Sequence, residues 1–299
     1  MEKTTLDFLI IGAQKAGTTT LFRLLSQHES VYLPPEKEAP YFGNIDREKL
    51  GWLWYVNEFF SGGRDDQLWG SVTPQYMSNL GIAREIKDVL GDIKLVAILR
   101  DPVERAYSHF KMSMRRGIEN RLFNQVICDL VHEDALDFSR QCPKENNAYI
   151  VWGEYGRILS DYCDFFDKKN ILILFTEDLE KNPQQTLDKV CNFIGIKCFT
   201  PVDIGKKYHV GSSSQKLPII GGLRRIIFLR NIWRRIVPFK SRRRFMYWFD
   251  QWNSSQEKQH SIAINDLECF DKLKNLYLID IMILEKLFNV SVPWRSKLE

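Results

Sequence analysis

Residues 12–20 read GAQKAGTTT, and they stand between an apolar run and an amphipathic one. The run before them, DFLIIG at 7–12, is short and rich in Ile and Leu. That pattern suits a strand buried on both faces. From Thr18 to about Gln27 the apolar spacing is helical. Strand, glycine turn and helix make a tight βα unit. Glycine lets the backbone fold closely, so that successive N–H groups point inward. The helix start adds unpaired N–H groups and the positive end of its dipole. Together these form a cradle for a phosphate-like anion. Lys15 adds a full positive charge, and Thr18, Thr19 and Thr20 add hydroxyl donors.

The pattern recurs along the chain. KLVAILR at 94–100 predicts a second strand, with a helix from about Pro102 to Arg116 behind it. ILILFTE at 171–177 predicts a third. Helices between buried strands imply right-handed crossovers and a mainly parallel sheet. The expected fold is therefore α/β, a phosphate-loop-like parallel sheet flanked by helices. One domain over 1–299 is expected, with a basic subregion at about 205–245. Leu159, Tyr162, Cys163 and Phe166 share a helical face, as do Leu187, Val190, Cys191 and Ile194. Asn182, Pro183 and Gly195 have the residue types that cap, open and close the second of these helices. A final amphipathic helix carries Leu273, Leu276, Tyr277, Leu284 and Leu287.

Composition excludes several classes. With 44% apolar residues and a net charge of +4, the chain is not of the disordered kind. No stretch approaches the ~20 apolar residues that cross a bilayer. The first apolar run, Leu6 to Ile11, opens into Gly12 with no small-residue cleavage site, so it reads as a strand and not a leader. A cytoplasmic location is expected. The six cysteines show no C-x-x-C spacing and no nearby His at ligand spacing. Cys163 and Cys191 fall on apolar helix faces and read as core thiols; no metal is expected, and the sequence gives no positive reason to invoke disulfides.

A nucleotide triphosphatase loop has the form G-x-x-x-x-G-K-[ST]. Gly12 and Gly17 match its glycines. The Lys does not follow Gly17 but precedes it by two residues, and Thr18 stands in its place. A loop that uses Lys and amides without magnesium fits this order better. A second constellation is LRDPVERAYSHF, with Arg100 at a strand end and Ser108 eight residues on. Ligands of open α/β sheets bind at the carboxyl ends of strands. An Arg fork there can grip a phosphate in two hydrogen bonds, and Ser108 can add a hydroxyl. Two anion sites on one sheet suggest a nucleotide with phosphates at both ends.

At these residues the chain resembles the sulfotransferases. FLIIGAQKAGTTTL looks like their 5′-phosphosulfate loop, and LRDPVERAYSHF like their 3′-phosphate site. LPPEKEAPYF at 33–42 resembles the acceptor-side motif of heparan-sulfate-type carbohydrate sulfotransferases. LFTEDLEKNPQQTLDKVCNFIGI at 174–196 resembles a later strand–helix segment. The resemblance runs over roughly 6–200, in order. It implies 3′-phosphoadenosine 5′-phosphosulfate (PAPS) as donor and PAP as product. Lys15, Ala16, Gly17, Thr18, Thr19 and Thr20 would hold the phosphosulfate, and Arg100 and Ser108 the 3′-phosphate. Glu38 is the implied base for the acceptor hydroxyl, with Lys37 a lesser candidate for a donor or acceptor contact. Tyr155, Gly156 and Arg157, expected in a loop before a helix, correspond to a segment near the nucleotide. Lys206 and Lys207 fall where relatives close a basic loop over it. In GSVTPQYM, Thr73, Pro74 and Tyr76 match the next motif. Ser71 and Val72 stand where heparan-type relatives often carry an acidic residue and Lys, and Val72 brings no positive charge. His28 sits at a helix end before a strand-like run, where the pattern suggests a structural role, and His109 follows Ser108; because cytosolic small-molecule sulfotransferases use a His base, both stand as alternatives to Glu38.

The segment 205–245 holds twelve basic residues and no Asp or Glu, while the remainder has 30 basic against 38 acidic. Its GLRRIIFLRNIWRRIVPF places Arg pairs among Ile, Leu, Phe and Trp. Through 222–244 such a helix can lie on an anionic membrane surface, line an anionic acceptor groove, or pack on the core. No nucleic-acid module is visible. Three readings follow. The first is sulfuryl transfer to a carbohydrate or metabolite hydroxyl, less readily an amine. The second is an ATP/Mg-dependent kinase. The third is a membrane-surface binding protein on a degenerate nucleotide fold.

Overall fold

The computed structural model describes residues 3–79, 81–202, 204, 212–215, 254–256 and 267–299. Five strands form one sheet: β1 (Phe8–Gly12), β2 (Val31–Tyr32), β3 (Leu68–Val72), β4 (Lys94–Leu99) and β5 (Ile171–Phe175). Their order is β2-β3-β1-β4-β5, and every pairing is parallel. Phe8 sits opposite Gly70 on one side and Lys94 on the other, and Leu95 opposite Ile171. β1 is buried throughout because helices cover both its faces. That is why its sequence is continuously apolar and does not alternate.

Among the described residues the helices are α1 (Thr18–Leu25), α2 (Ile45–Glu48), α3 (Trp52–Phe60), α4 (Ile82–Leu90), α5 (Pro102–Arg116), α6 (Phe123–Leu130), α7 (Glu133–Gln141), α8 (Tyr155–Cys163), α9 (Thr176–Lys181), α10 (Pro183–Ile194), α11 (Leu267–Phe288) and α12 (Arg295–Leu298). α5 has the bounds its sequence implies. Asp101 caps it by accepting from the amides of Val103 and Glu104, Pro102 opens it, and Gly117 closes it in the left-handed region. The third strand is shorter than expected. It stops at Phe175 because the Thr176 hydroxyl donates to the carbonyls of Ala16 and Leu99 and turns the chain into α9. Asn182 sits at the start of α10, but its side chain makes no capping bond. Its carbonyl instead accepts from the Thr186 amide and hydroxyl.

α11 packs against α6 and α8. The structure corrects the cysteine expectation here. Cys128 on α6 and Cys269 on α11 form a disulfide across 141 residues, with Cα atoms 5.2 Å apart. Sequence spacing could not show it, because only the packing of two remote helices brings the pair together. Bonds of this kind persist in oxidising compartments, not in a reducing cytosol. The other four cysteines are free. No described helix is long and apolar enough to cross a membrane. A short antiparallel pair, β6 (Ser212–Gln215) and β7 (Ser254–Gln256), forms a separate sheet. Lys206, Lys207 and the basic stretch 222–244 lie outside the described residues.

Candidate active site

The glycine turn leaves β1 at the carboxyl edge of the sheet and enters α1 through Gly17, which has φ +98°. That left-handed conformation strains any residue with a Cβ. Lys15 also has positive φ, 72°, which holds the turn tight. The Ala16 amide closes the turn on the Ala13 carbonyl, and the Thr20 amide bonds the Gly17 carbonyl. Ala16 is fully buried. No side chain caps α1, so the amides of Thr18 and Thr19 have no helical acceptor and remain for an anion. The Thr18 side chain is buried, and those of Thr19 and Thr20 are half-buried.

Burial pulls the Lys15 ammonium down to about 8, and the charges of Arg115, Arg116 and Arg100 pull in the same direction. Glu38 opposes them. Three arginines therefore direct their field at one lysine, a setting that favours an anionic ligand. Arg100 follows directly after β4. Its Nη1 donates to the Lys15 carbonyl at 3.4 Å and its Nη2 to Glu104 at 2.9 Å. Ser108 lies one turn beyond Glu104 on the same face of α5, and it is half-buried. Arg100 and the loop are thus brought together, with Ser108 on the adjoining helix.

Glu38 lies in the segment between β2 and α2. Its Oε1 accepts from Lys37 Nζ and its Oε2 from Gln75 Nε2, both at 2.9 Å. Burial pushes this carboxyl up, but the Lys37 charge and the bonds from Gln75 and Lys37 outweigh it, and the net shift is downward. Glu38 is therefore ionised at neutral pH and able to accept a proton.

The sulfotransferase domain family model matches residues 5–204. The chain belongs to that family. It is 26% identical over 247 residues to the membrane-associated sulfotransferase kil1 of Dictyostelium discoideum, covering 78% of this chain and 50% of that one. It is 27% identical over 203 residues to the human bifunctional heparan sulfate N-deacetylase/N-sulfotransferase 2, covering 64% of this chain and 22% of that protein. The chain thus spans half or less of the length of these curated relatives. A crystal structure of a sulfotransferase from Alicyclobacillus acidocaldarius superposes with TM-score 0.65 at 20% identity, over 100% of this chain and 99% of that one. That likeness is one of fold.

Within this sulfotransferase-family fold, the loop expected at Tyr155 changes and the two His alternatives find their places. Tyr155, Gly156 and Arg157 do not form a loop but open α8. The reason is remote: the Asp280 carboxylate on α11 accepts from the Gly156 and Arg157 amides, each at 2.8 Å, and so supplies the missing cap. Tyr155 is fully buried, and its hydroxyl donates to the Arg100 carbonyl at 2.9 Å. It reaches the site through Arg100. His28 is structural: Nε2 donates to the Lys197 carbonyl at 2.9 Å and Nδ1 accepts from the Ser30 amide at 3.1 Å. His109 is fully buried, stacked on Trp152, and neither ring nitrogen has a partner among the described residues. Burial holds it well below the usual range, and the charges of Arg105, Lys15 and Arg116 push it further down. It is a neutral interior ring, out of contact with solvent.

Residues outside the expected set also belong here. Gln75 orients Glu38, and its own Oε1 is buried without a partner. Gln14, inside the loop, likewise has a buried and unpartnered Oε1. Arg115 and Arg116 close α5, two turns beyond Ser108. Helical periodicity from Ser108 was the available signal for the two arginines.

Proposed function

We propose that this chain transfers a sulfuryl group from PAPS to a hydroxyl of a carbohydrate or small-metabolite acceptor. The observation that carries the reading is the convergence of Lys15, Arg100 and the open start of α1 on one anion cradle, with the ionised Glu38 close enough for its charge to act on Lys15. The residues fit a phosphosulfate. The cradle offers free amides, a lysine and an arginine fork, and its field is cationic. Bound there, PAPS would supply the sulfuryl group and a phosphate leaving group.

The roles of the side chains follow from where charge changes. In-line transfer builds negative charge on the departing bridging oxygen, as in phosphoryl transfer. Lys15 and the amides of Thr18 and Thr19 supply fixed positive charge at that point. Arg100 and Ser108 hold the 3′-phosphate. Glu38 accepts the acceptor's proton at a carboxylate oxygen, and Gln75 keeps that carboxylate in place. Lys206 and Lys207 are proposed to close over the nucleotide. The proposed acceptor class follows the likeness to the heparan sulfate N-deacetylase/N-sulfotransferases. Chain 1–299 is proposed to act as one domain. Contact with an anionic membrane surface through 222–244 is proposed from its charge and from the likeness to a membrane-associated sulfotransferase.

Calorimetric titration with adenosine 3′,5′-bisphosphate (PAP), ATP and Mg-ATP tests the reading. Tight binding of PAP without metal, weakened by Arg100→Ala, is expected. Preference for Mg-ATP would move the chain to the kinases. Binding of neither, together with liposome binding, would favour the membrane-surface reading.

A further inference from the structure

Arg100, Glu104 and Ser108 follow one another at four-residue steps. Glu104 and Ser108 share a face of α5, and Arg100 Nη2 donates to Glu104 Oε2 at 2.9 Å. A carboxylate therefore stands among the residues proposed to hold the 3′-phosphate. A phosphate arriving there meets a like charge. It must also draw the guanidinium away from a carboxylate that already holds it. Two further carboxylates lie close by. Asp101 Oδ1 caps α5, and Glu177 Oε1 accepts from the Asp101 amide at 3.3 Å.

Lys297, on α12, meets this excess of negative charge. Its Nζ donates to Glu104 Oε1 at 2.9 Å and lies 3.5 Å from Asp101 Oδ2. The two oxygens of Glu104 are thus divided, one to Arg100 and the other to Lys297. Burial pushes the Glu104 carboxyl up, but the bonds and charges of Lys297 and Arg100 outweigh it, and the net shift is downward. Glu104 is ionised at neutral pH and would compete with a phosphate for Arg100.

Exposed ion pairs are often incidental, but this lysine is held in place. Trp294 and Leu298, on either side of it, are buried. The Trp294 ring packs edge-on against Phe175 and Tyr155, with centroids 5.3 and 6.4 Å away. Tyr155 is the side chain whose hydroxyl bonds the Arg100 carbonyl. The Lys297 amide bonds the Trp294 carbonyl at 3.0 Å. The anchor of Lys297 therefore rests on the brace of Arg100.

We infer that Lys297 is a positioning residue of the 3′-phosphate site, which holds Glu104 and so releases the Arg100 fork to the phosphate. This rests on the sulfotransfer reading above and adds to it a residue outside the donor motifs. The step is an exchange of hydrogen bonds. Arg100 Nη2 leaves Glu104 Oε2 for a phosphate oxygen, while Lys297 keeps the Glu104 charge compensated.

The test compares two ligands on the full chain in low-salt buffer, where charge effects are largest. PAP carries the 3′-phosphate, and adenosine 5′-monophosphate lacks it. Calorimetry gives the PAP affinity, and displacement of PAP gives that of the monophosphate. Lys297→Met is expected to weaken PAP about twofold to fivefold, the scale of one partly screened charge pair, and to leave the monophosphate unchanged. Lys297→Arg keeps the charge and should keep most of the PAP affinity. Glu104→Gln removes the competitor and should tighten PAP. In that background Lys297→Met should change PAP affinity less than twofold. Three results would each overturn the inference: PAP affinity that ignores Lys297→Met, an equal loss for both ligands, or a loss undiminished by Glu104→Gln. A loss in Lys297→Arg as large as in Lys297→Met would do the same. If PAP fails to bind the unaltered chain, the sulfotransfer reading falls first. If PAP binds and depends on Arg100 but not on Lys297, only this inference falls.

Discussion

Arg100 donates from Nη1 to the carbonyl oxygen of Lys15, 3.4 Å away across the carboxyl edge of the sheet. Its own carbonyl accepts from the buried Tyr155 hydroxyl, and its Nη2 meets Glu104. One side chain therefore joins the end of β4 to the donor loop, and its backbone joins β4 to α8. Arg100→Ala removes both the fork and the brace. PAP affinity should fall about tenfold to a hundredfold, the range for losing charged hydrogen bonds. Arg100→Lys keeps the charge without the fork and should fall between the two. Calorimetry settles the order, and equal affinities in all three proteins would remove Arg100 from the site.

Lys15 titrates within reach of ordinary buffers. Burial and three arginines hold it at about 8, so the free protein loses this charge as pH rises through that value. An anion binds the charged form better. PAP affinity should therefore be level at neutral pH and fall on the alkaline side, approaching about tenfold per pH unit for one linked proton. Lys15→Met should bind weakly with no such limb. A pH series of PAP titrations on both proteins gives the answer, and an identical alkaline limb in the variant would assign it to another group.

Glu38 and Gln75 separate chemistry from donor binding. Glu38→Gln keeps the size and shape of the side chain but removes the proton acceptor. Turnover should fall about a hundredfold to ten-thousandfold, the usual span for a general base, while PAP affinity stays within a factor of a few. Gln75→Ala removes one of the bonds that position Glu38, so a smaller loss is expected, in kcat more than in KM. Steady-state rates of sulfuryl transfer to an acceptor hydroxyl check both. A loss of PAP binding as large as the loss of rate would make Glu38 a structural residue.

What the sequence discloses here is local. Phe8–Gly12, the loop to Thr20, and the Asp101–Pro102 start of α5 are each specified by neighbours within a few residues. Hydrophobic period, capping and glycine conformation act over that range, so these elements are legible. The unread parts are contacts between remote residues. Gln75 reaches Glu38 across 37 positions, Asp280 reaches Gly156 across 124, and Cys128 meets Cys269 across 141. No periodicity carries such pairings, which arise only when the sheet order sets which helices touch. The α8 boundary shows the consequence, because its cap is supplied from a helix more than a hundred residues away.

The Cys128–Cys269 bond ties α11 to α6 and closes a very long loop. In the chain-entropy account such a loop contributes on the order of 4–5 kcal/mol, before any native strain. Thiol titration of the denatured, unreduced protein should count four free thiols, as Cys142, Cys163, Cys191 and Cys198 are unpaired. Reduction, or Cys128→Ser, should lower the melting temperature. Six reactive thiols in the protein as isolated would mean that the pair is not oxidised where the chain is made.

Asp280 makes the final case, because its carboxylate caps a helix to which it is not attached. Its oxygens accept from the first amides of α8, and the two helices approach so closely that a Cβ on Gly156 would lie 2.1 Å from the Asp280 carbonyl. Asp280→Ala leaves two buried amides without acceptors, at a cost of about 2–4 kcal/mol. Gly156→Ala should be destabilising by a similar route, since backbone and not a flexible side chain must move. The pH dependence has a definite sign. Burial raises Asp280 to about 6, only partly offset by its two amide donors, so the folded chain holds this proton more tightly than the unfolded chain does. Its contribution is complete below the unfolded carboxylate value near ~4 and is lost as pH rises through about 6. Urea unfolding of the unaltered chain and of Asp280→Ala across that window isolates the term. The difference between the two should shrink as pH rises, and a constant difference would mean that Asp280 is ionised throughout.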